Sequence, residues 1–170
     1  MTLILSILIL LLACGLLLVL AIIDLKTRLL PNVYVFPFAL LAPVFHVVTG
    51  FSIVSASAMI TGGVLGGGSL LLVRGVANRL YKRDTLGLGD VKLMGAAGLW
   101  LGADSIFLCI ALGAFLGVLH GAGVLLFQRY KTGKASDMKD FSIPAGPGFI
   151  AGIILIGMEK FAALPHLLPL

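Results

Sequence analysis

Hydrophobic residues in this chain come in long unbroken runs rather than in stripes or alternations. The first 23 positions carry no charged residue at all. Further apolar runs follow at 33–49, 52–73, 91–101, 105–127 and 141–158, each bounded by charge, Pro or polar residues. An α-helix needs about 20 predominantly apolar residues to cross the hydrocarbon of a bilayer. Strands of a membrane barrel would instead show shorter segments that alternate apolar and polar. The pattern therefore predicts an all-α polytopic membrane protein with six transmembrane helices, at 3–23, 33–49, 52–73, 91–101, 105–127 and 141–158, within a single membrane domain over 1–170. The fourth run is short, so that helix is a half-span or lengthens through tilt or its flanks. The opening run has no basic start and no small-residue cleavage site, and it is too long for the core of a secretory signal, so it reads as a retained helix.

Composition sharpens this. Apolar residues make up 60% of the chain and charged residues only 11%, where a soluble domain carries about 25% charged. Mean hydropathy is +1.17. Too few polar residues exist to cover a water-soluble fold of this size, which excludes a soluble enzyme and a disordered tail. The net charge of +5 invites a nucleic-acid partner, but its distribution argues for a lipid bilayer instead. Connections 1–2, 3–4 and 5–6 hold Lys26, Arg28, Arg74, Arg79, Lys82, Arg83, Lys92, Arg129, Lys131, Lys134 and Lys139. Only Lys160 falls on the other side. The excess of Lys and Arg places these three connections in the cytoplasm and both termini outside.

The small and polar residues inside the runs have modest expected roles. Glycines spaced by four, Gly62/Gly66, Gly63/Gly67, Gly98/Gly102 and Gly113/Gly117/Gly121, suit close helix packing in lipid. The Gly66–Gly67–Gly68 triplet could kink the third helix. Cys14 and Cys109 lie in apolar runs without a CxxC pair, so they encode no zinc ribbon or redox site. His46, His120 and His166 share no metal-ligand spacing and read as packed or interfacial. Trp100, near the outer end of the fourth run, fits an aromatic belt.

Acids at membrane depth are costly and usually functional. Asp104 and Glu159 fall at the outer boundary, and Asp84, Asp137 and Asp140 lie among Lys and Arg in cytoplasmic connections; all five read as solvated. Asp24 and Asp90 differ. Asp24 closes the first run and Asp90 opens the fourth. The first helix exits into the cytoplasm and the fourth enters from it, so two acids 66 positions apart lie at one depth. Paired carboxylates that share a proton are the machinery of an aspartic protease: one activates water and the other protonates the carbonyl oxygen. The alternative is that each acid is an interfacial cap or a partner for Lys26 or Lys92.

Local sequence shifts the balance towards the pair. The first acid stands in Asp24-Leu25-Lys26-Thr27-Arg28-Leu29-Leu30-Pro31-Asn32 and the second in Gly87-Leu88-Gly89-Asp90-Val91-Lys92-Leu93-Met94. Gly87 and Gly89 permit backbone turns that a Cβ forbids and leave room for an extended peptide. Asp24 ends its helix, where the dipole opposes negative charge, and Asp90 begins one, where the dipole supports it. That predicts Asp90 as general base and Asp24 as general acid, provided the first helix stops soon after Asp24. Lys92 can orient a substrate carbonyl or acid, or anchor to headgroups. Asn32 can bond backbone near the site, or cap a helix after Pro31.

These two motifs resemble the type IV prepilin peptidase family of membrane aspartic proteases, in particular its short, peptidase-only members of tight-adherence and Flp-type pilus systems. Ile143-Pro144-Ala145-Gly146-Pro147-Gly148 is similar to the family's Pro- and Gly-containing segment near the active site. The resemblance implies Asp24 and Asp90 as the catalytic pair, with Gly87, Gly89, Lys92, Asn32, Pro144 and Gly146 binding substrate or shaping the site. It implies a prepilin or pseudopilin substrate, cut after a glycine just before its hydrophobic helix, at the cytoplasmic face of the inner membrane, with no cofactor. Leu30 replaces a frequent isoleucine. The paired CxxC motifs that accompany N-methylation in longer relatives are absent from this sequence, so neither a zinc site nor a methyl-donor pocket is expected. Readings from other classes are a transporter, which calls for a mid-membrane acid or broken helix and a repeat, and a non-catalytic pilus or secretion assembly component. Proteases of the presenilin type share only the GxGD tetrad.

Overall fold

The computed structural model describes residues 1–132 and 145–167. Every regular element among them is helical: α1 (Thr2–Thr27), α2 (Asn32–Val48), α3 (Ala56–Tyr81), α4 (Leu88–Thr132), α5 (Gly146–Phe161) and the single turn α6 (Leu164–Leu167). By length and composition four segments can cross a bilayer: α1, α3, the 88–127 part of α4, and Gly146–Leu167. The apolar α2 is shorter, at 17 residues, and carries Pro37 and Pro43 within it. Prolines are tolerated in membrane helices because neighbours re-satisfy the freed carbonyls. Large apolar side chains such as Ile4, Leu11, Leu40, Leu72, Phe115 and Met158 stay exposed on the outside of the bundle, as lipid contact requires. The chain is a multi-pass membrane protein.

Two expected runs share one continuous element. α4 is a pair of arms, 88–101 and 103–132, joined at Gly102, whose φ of 76° and ψ of 173° lie in a region reserved for glycine. The second arm runs back beside the first. Ile106, just past the corner, meets Gly66 alongside Met94, and Gly117 lines a cavity with Leu86. The short fourth run is thus a short arm with a sharp corner.

Glycine contacts hold the arms to their neighbours. A Cβ on Gly62 would stand 2.4 Å from the Gly98 carbonyl oxygen, and one on Gly66 would stand 2.3 Å from that of Met94. Gly148 and Gly152 of α5 meet Gly113 and Gly117 of the second arm in the same way. The Gly66–Gly67–Gly68 triplet does not kink α3, which is regular from end to end; backbone contact with α4 supports it instead. On the other side, α1 packs against α2 and α5, and α2 packs against α4.

Trp100 corrects the aromatic-belt expectation. It is 3% exposed, and its indole Nε1 donates to the Phe38 carbonyl at 2.9 Å. Phe38, Phe45 and Phe161 pack around it. An indole with an internal acceptor gains more from this packing than from a headgroup. His46 is packed as expected, with Nε2 3.0 Å from the Leu99 carbonyl. At the same end, Asp104 is exposed but not merely solvated: Lys160 Nζ reaches it at 2.6 Å and ties α5 to the second arm.

Candidate active site

The stripe of α1 that faces the bundle runs Leu3, Ser6, Ile9, Ala13, Leu17, Leu20 and Asp24. Steps of three and four keep these residues on one face, so the last member, Asp24, is aimed inward. The helix stops three residues later. Arg28 adopts a left-handed conformation (φ 56°), and its N–H donates to the Asp24 carbonyl at 2.8 Å. Asp90 lies in the first turn of α4 and reaches back to the Gly87 backbone, as an acid at the third helical position does in a capping box.

Folding brings both acids to one place. Asp24 is 4% exposed and Asp90 8%. Both line a cavity of ≈ 400 Å³ together with Arg28, Arg74, Asp84, Thr85, Leu86, Gly87, Leu88 and Ala145. Asp24 Oδ2 has no hydrogen-bond partner among the described residues. A second cavity of ≈ 280 Å³, lined by Gly113, Ala114, Gly117, Val118 and Phe149, shares Leu86 and Ala145 with the first. Polar and apolar compartments therefore meet at those two residues.

The two acidic motifs dock on each other. A Cβ on Gly89 would lie 2.8 Å from Leu30 Cβ. Lys92 Nζ donates to Asn32 Oδ1 at 3.1 Å. Lys92 and Asn32 are thus spent on tying the start of α4 to the start of α2, and neither lines the cavity. Asn32 is the first residue of α2, with Pro31 as its cap. The glycines also work differently from the sequence expectation. Among the described residues the only glycines with positive φ are Gly50 and Gly102, so neither Gly87 nor Gly89 serves a left-handed turn; Gly89 leaves space for Leu30, and Gly87 stands against the tip of the Asp90 side chain. Gly146 joins them: a Cβ there would lie 2.6 Å from Asp24 Oδ2. Pro144 lies outside the described residues.

That position of Gly146 revises the dipole argument. Gly146 begins α5, and its backbone faces the Asp24 carboxyl. Asp24 therefore ends its own helix but stands before the N-terminus of another, where N–H groups favour an anion. Asp90 stands at the N-terminus of α4. Each carboxyl has a helix N-terminus in front of it, so own-helix dipoles do not separate an acid from a base.

Sequence reasoning missed Arg74, Asp84 and Leu86 as cavity residues. Arg74 had a signal. It lies twelve residues after Gly62 and eight after Gly66, on the same four-residue register that carries α3 against α4. Arg28 had been read for topology only, and Asp84 as solvated. Asp84 is exposed, yet it pairs with Arg74 at 2.8 Å.

Comparison with known proteins finds relatives of this chain. A prepilin leader peptidase/N-methyltransferase of Dickeya chrysanthemi is 34% identical over 119 residues, 70% of this chain and 40% of that protein. Proteins of the same name from Aeromonas hydrophila (30% over 135 residues, 79% and 43%) and Escherichia coli K12 (30% over 112 residues, 66% and 49%) are similar. The chain spans less than half the length of each of these relatives. No solved structure matches it significantly. The family model described as the type IV leader peptidase family matches residues 10–122, a stretch that contains both Asp24 and Asp90, and on that match the chain belongs to the type IV leader peptidase family.

Proposed function

We propose that the chain is a membrane aspartic endopeptidase, acting as one domain over 1–170, that removes the leader peptide of type IV or Flp-type prepilins and pseudopilins. The observation that carries this is the meeting of Asp24 and Asp90. Two carboxyls from distant parts of the chain are buried in one cavity, with glycine backbone packed on each. Nothing in the packing of a passive bundle calls for that arrangement, and buried like charges are costly unless a proton is shared. A transporter would hold its acids near the midplane of the spans, whereas these stand at the last turn of α1 and the first of α4.

The chemistry follows with one proton on the pair. The ionised carboxyl takes a proton from water while the hydroxide adds to the scissile carbonyl carbon. The protonated carboxyl gives its proton to the carbonyl oxygen, forming a neutral diol. On collapse, the first carboxyl passes its proton to the leaving nitrogen, the C–N bond breaks, and the second recovers a proton from the diol. Water is consumed and the pair is restored. With a helix N-terminus before each carboxyl, the two roles exchange between half-reactions, and the pair titrates as a unit. Peptide enters from the cytoplasmic side of the inner membrane. A glycine at the cleaved bond suits a cavity walled by Gly87 and Gly146, and the apolar cavity beyond Leu86 and Ala145 suits the hydrophobic segment that follows. In this reading α1, α2, α3, both arms of α4 and α5 make six crossings, with both termini outside.

Co-expression with a candidate prepilin tests the reading. Asp24→Asn and Asp90→Asn are each expected to lower cleavage by about 10²–10⁴-fold, the usual worth of a general acid or base, while the proteins still accumulate in the membrane. Cleavage by wild type should follow a bell-shaped pH profile that either substitution abolishes. Unchanged processing by both variants would remove the protease reading.

A further inference from the structure

Gly62, Gly66 and Leu70 lead a row of α3 residues spaced by four, which winds slowly round the helix to Arg74 and Asn78. The first three are buried against α4. The last two continue the row beyond the glycines and meet the α3–α4 loop instead. Arg74 donates from one guanidinium nitrogen to the Leu86 carbonyl and from another to Asp84 Oδ1 at 2.8 Å. Asn78 donates to the same Asp84 oxygen at 2.9 Å. Its own Oδ1 accepts from the Thr85 backbone N–H and hydroxyl, both at 2.8 Å. Three consecutive loop residues, Asp84, Thr85 and Leu86, are thus fastened to two side chains of one helix. Gly87 and the first turn of α4, with Asp90, follow immediately.

We infer that Arg74 and Asn78 are positioning residues, which clamp the 84–86 loop so that Asp90 is delivered to Asp24 in a fixed geometry. The inference rests on the peptidase reading for its consequence in cleavage, but the clamp itself does not. Arg74 is 17% exposed in its side chain and lines the acid cavity, yet its donors are directed at the loop. A planar fork is needed to hold a carboxylate and a carbonyl at once, which a lysine ammonium does less well. Among the described residues nothing else on the loop holds it so fully, and the partly buried Leu86 side chain also packs on the bundle.

Detergent-purified wild type, Arg74→Ala, Arg74→Lys, Asp84→Ala, the Arg74→Ala/Asp84→Ala double variant and the control Arg79→Ala should be compared in two measurements. In cleavage of a type IV prepilin, Arg74→Ala is expected to lower kcat by up to about 100-fold, the effect of a small misplacement, with KM held within about threefold. Arg74→Lys should recover part of this, Asp84→Ala should lose less, and the double variant should be no worse than Arg74→Ala. In hydrogen exchange, amides 84–90 should exchange faster in Arg74→Ala and Asp84→Ala, with α1 and α5 unchanged. Arg79 is exposed on the same helix, and its variant should match wild type in both. The inference is overturned if amides 84–90 keep wild-type exchange in both single variants, if the loss appears in KM alone, or if faster exchange spreads through α1 and α5. The exchange result stands apart from cleavage, so it decides the clamp even where wild type fails to cut the prepilin, an outcome that removes only the peptidase reading.

Discussion

Gly146 supports the Asp24 carboxyl with a bare α-carbon. A methyl group there would stand 2.6 Å from Oδ2 and 2.8 Å from Cγ, inside any real contact, so Gly146→Ala must push the acid aside. A loss of about 10–100-fold in kcat is expected, since misplacement by an ångström costs about that much, with thermal stability in detergent nearly unchanged; wild-type turnover would show that the Asp24 geometry is not critical. Gly87→Ala should be milder, because its Cβ would meet only the tip of the Asp90 side chain at 3.0 Å. Away from the site, Trp100→Phe removes the donor to the Phe38 carbonyl and should cost about 1–3 kcal/mol, read as a lower melting temperature. The acids themselves were legible in the sequence, because charge stands out in an apolar chain. The roles of Gly146, Asn32 and Lys92 were not, because each is defined by a neighbour about 60 or more positions away.

At the scale of elements, glycine spacing is the device that lets α3 and the first arm of α4 touch backbone to backbone. A Cβ on Gly98 would fall 2.0 Å from the Gly62 carbonyl oxygen. Gly98→Ala must separate the helices and is expected to cost about 1–3 kcal/mol, as overpacking does. Gly68→Ala on α3 meets nothing within 4 Å and should leave the melting temperature unchanged or slightly raised, since alanine favours helix. Equal effects from the two would refute the packing account. Most helix positions were legible because apolar runs are bounded by charge, but α3 continues to Tyr81, well past the run that ends at 73, because a helix need not stop where its charged residues begin. The reversal between the fourth and fifth runs was legible from the break at 102–104, but not that Gly102 alone turns the chain inside one continuous element, since a backbone conformation leaves no mark in composition.

For the molecule as a whole, the proposed topology has a direct test. Three crossings, by the two arms of α4 and by α5, separate Lys82 from His166. In a background with Cys14 and Cys109 replaced, Lys82→Cys should be labelled by an impermeant reagent only from the cytoplasmic side, and His166→Cys only from outside. Labelling of both from one face would break the six-crossing arrangement. The acid cavity and the Lys160–Asp104 link lie at opposite ends of α5. Gly146 and Lys160 are 14 residues apart, which is about 21 Å along a helix. The ion pair thus joins α5 to the second arm of α4 at the end away from the acid cavity.

Membrane class, the presence of the apolar helices and the two chemically costly acids could be read from the sequence alone, because burial in lipid leaves a composition that water-soluble folding cannot imitate. Which face of each helix turns inward could not. In α1 nearly every position is apolar, so no periodicity marks the stripe that ends in Asp24, and only packing against α2 and α5 selects it. The contact of Leu30 with Gly89, the bond from Lys92 to Asn32, the Gly146 support beneath Asp24 and the Arg74 clamp all join segments remote along the chain. Such pairings carry no local signal, and tertiary structure alone decided them.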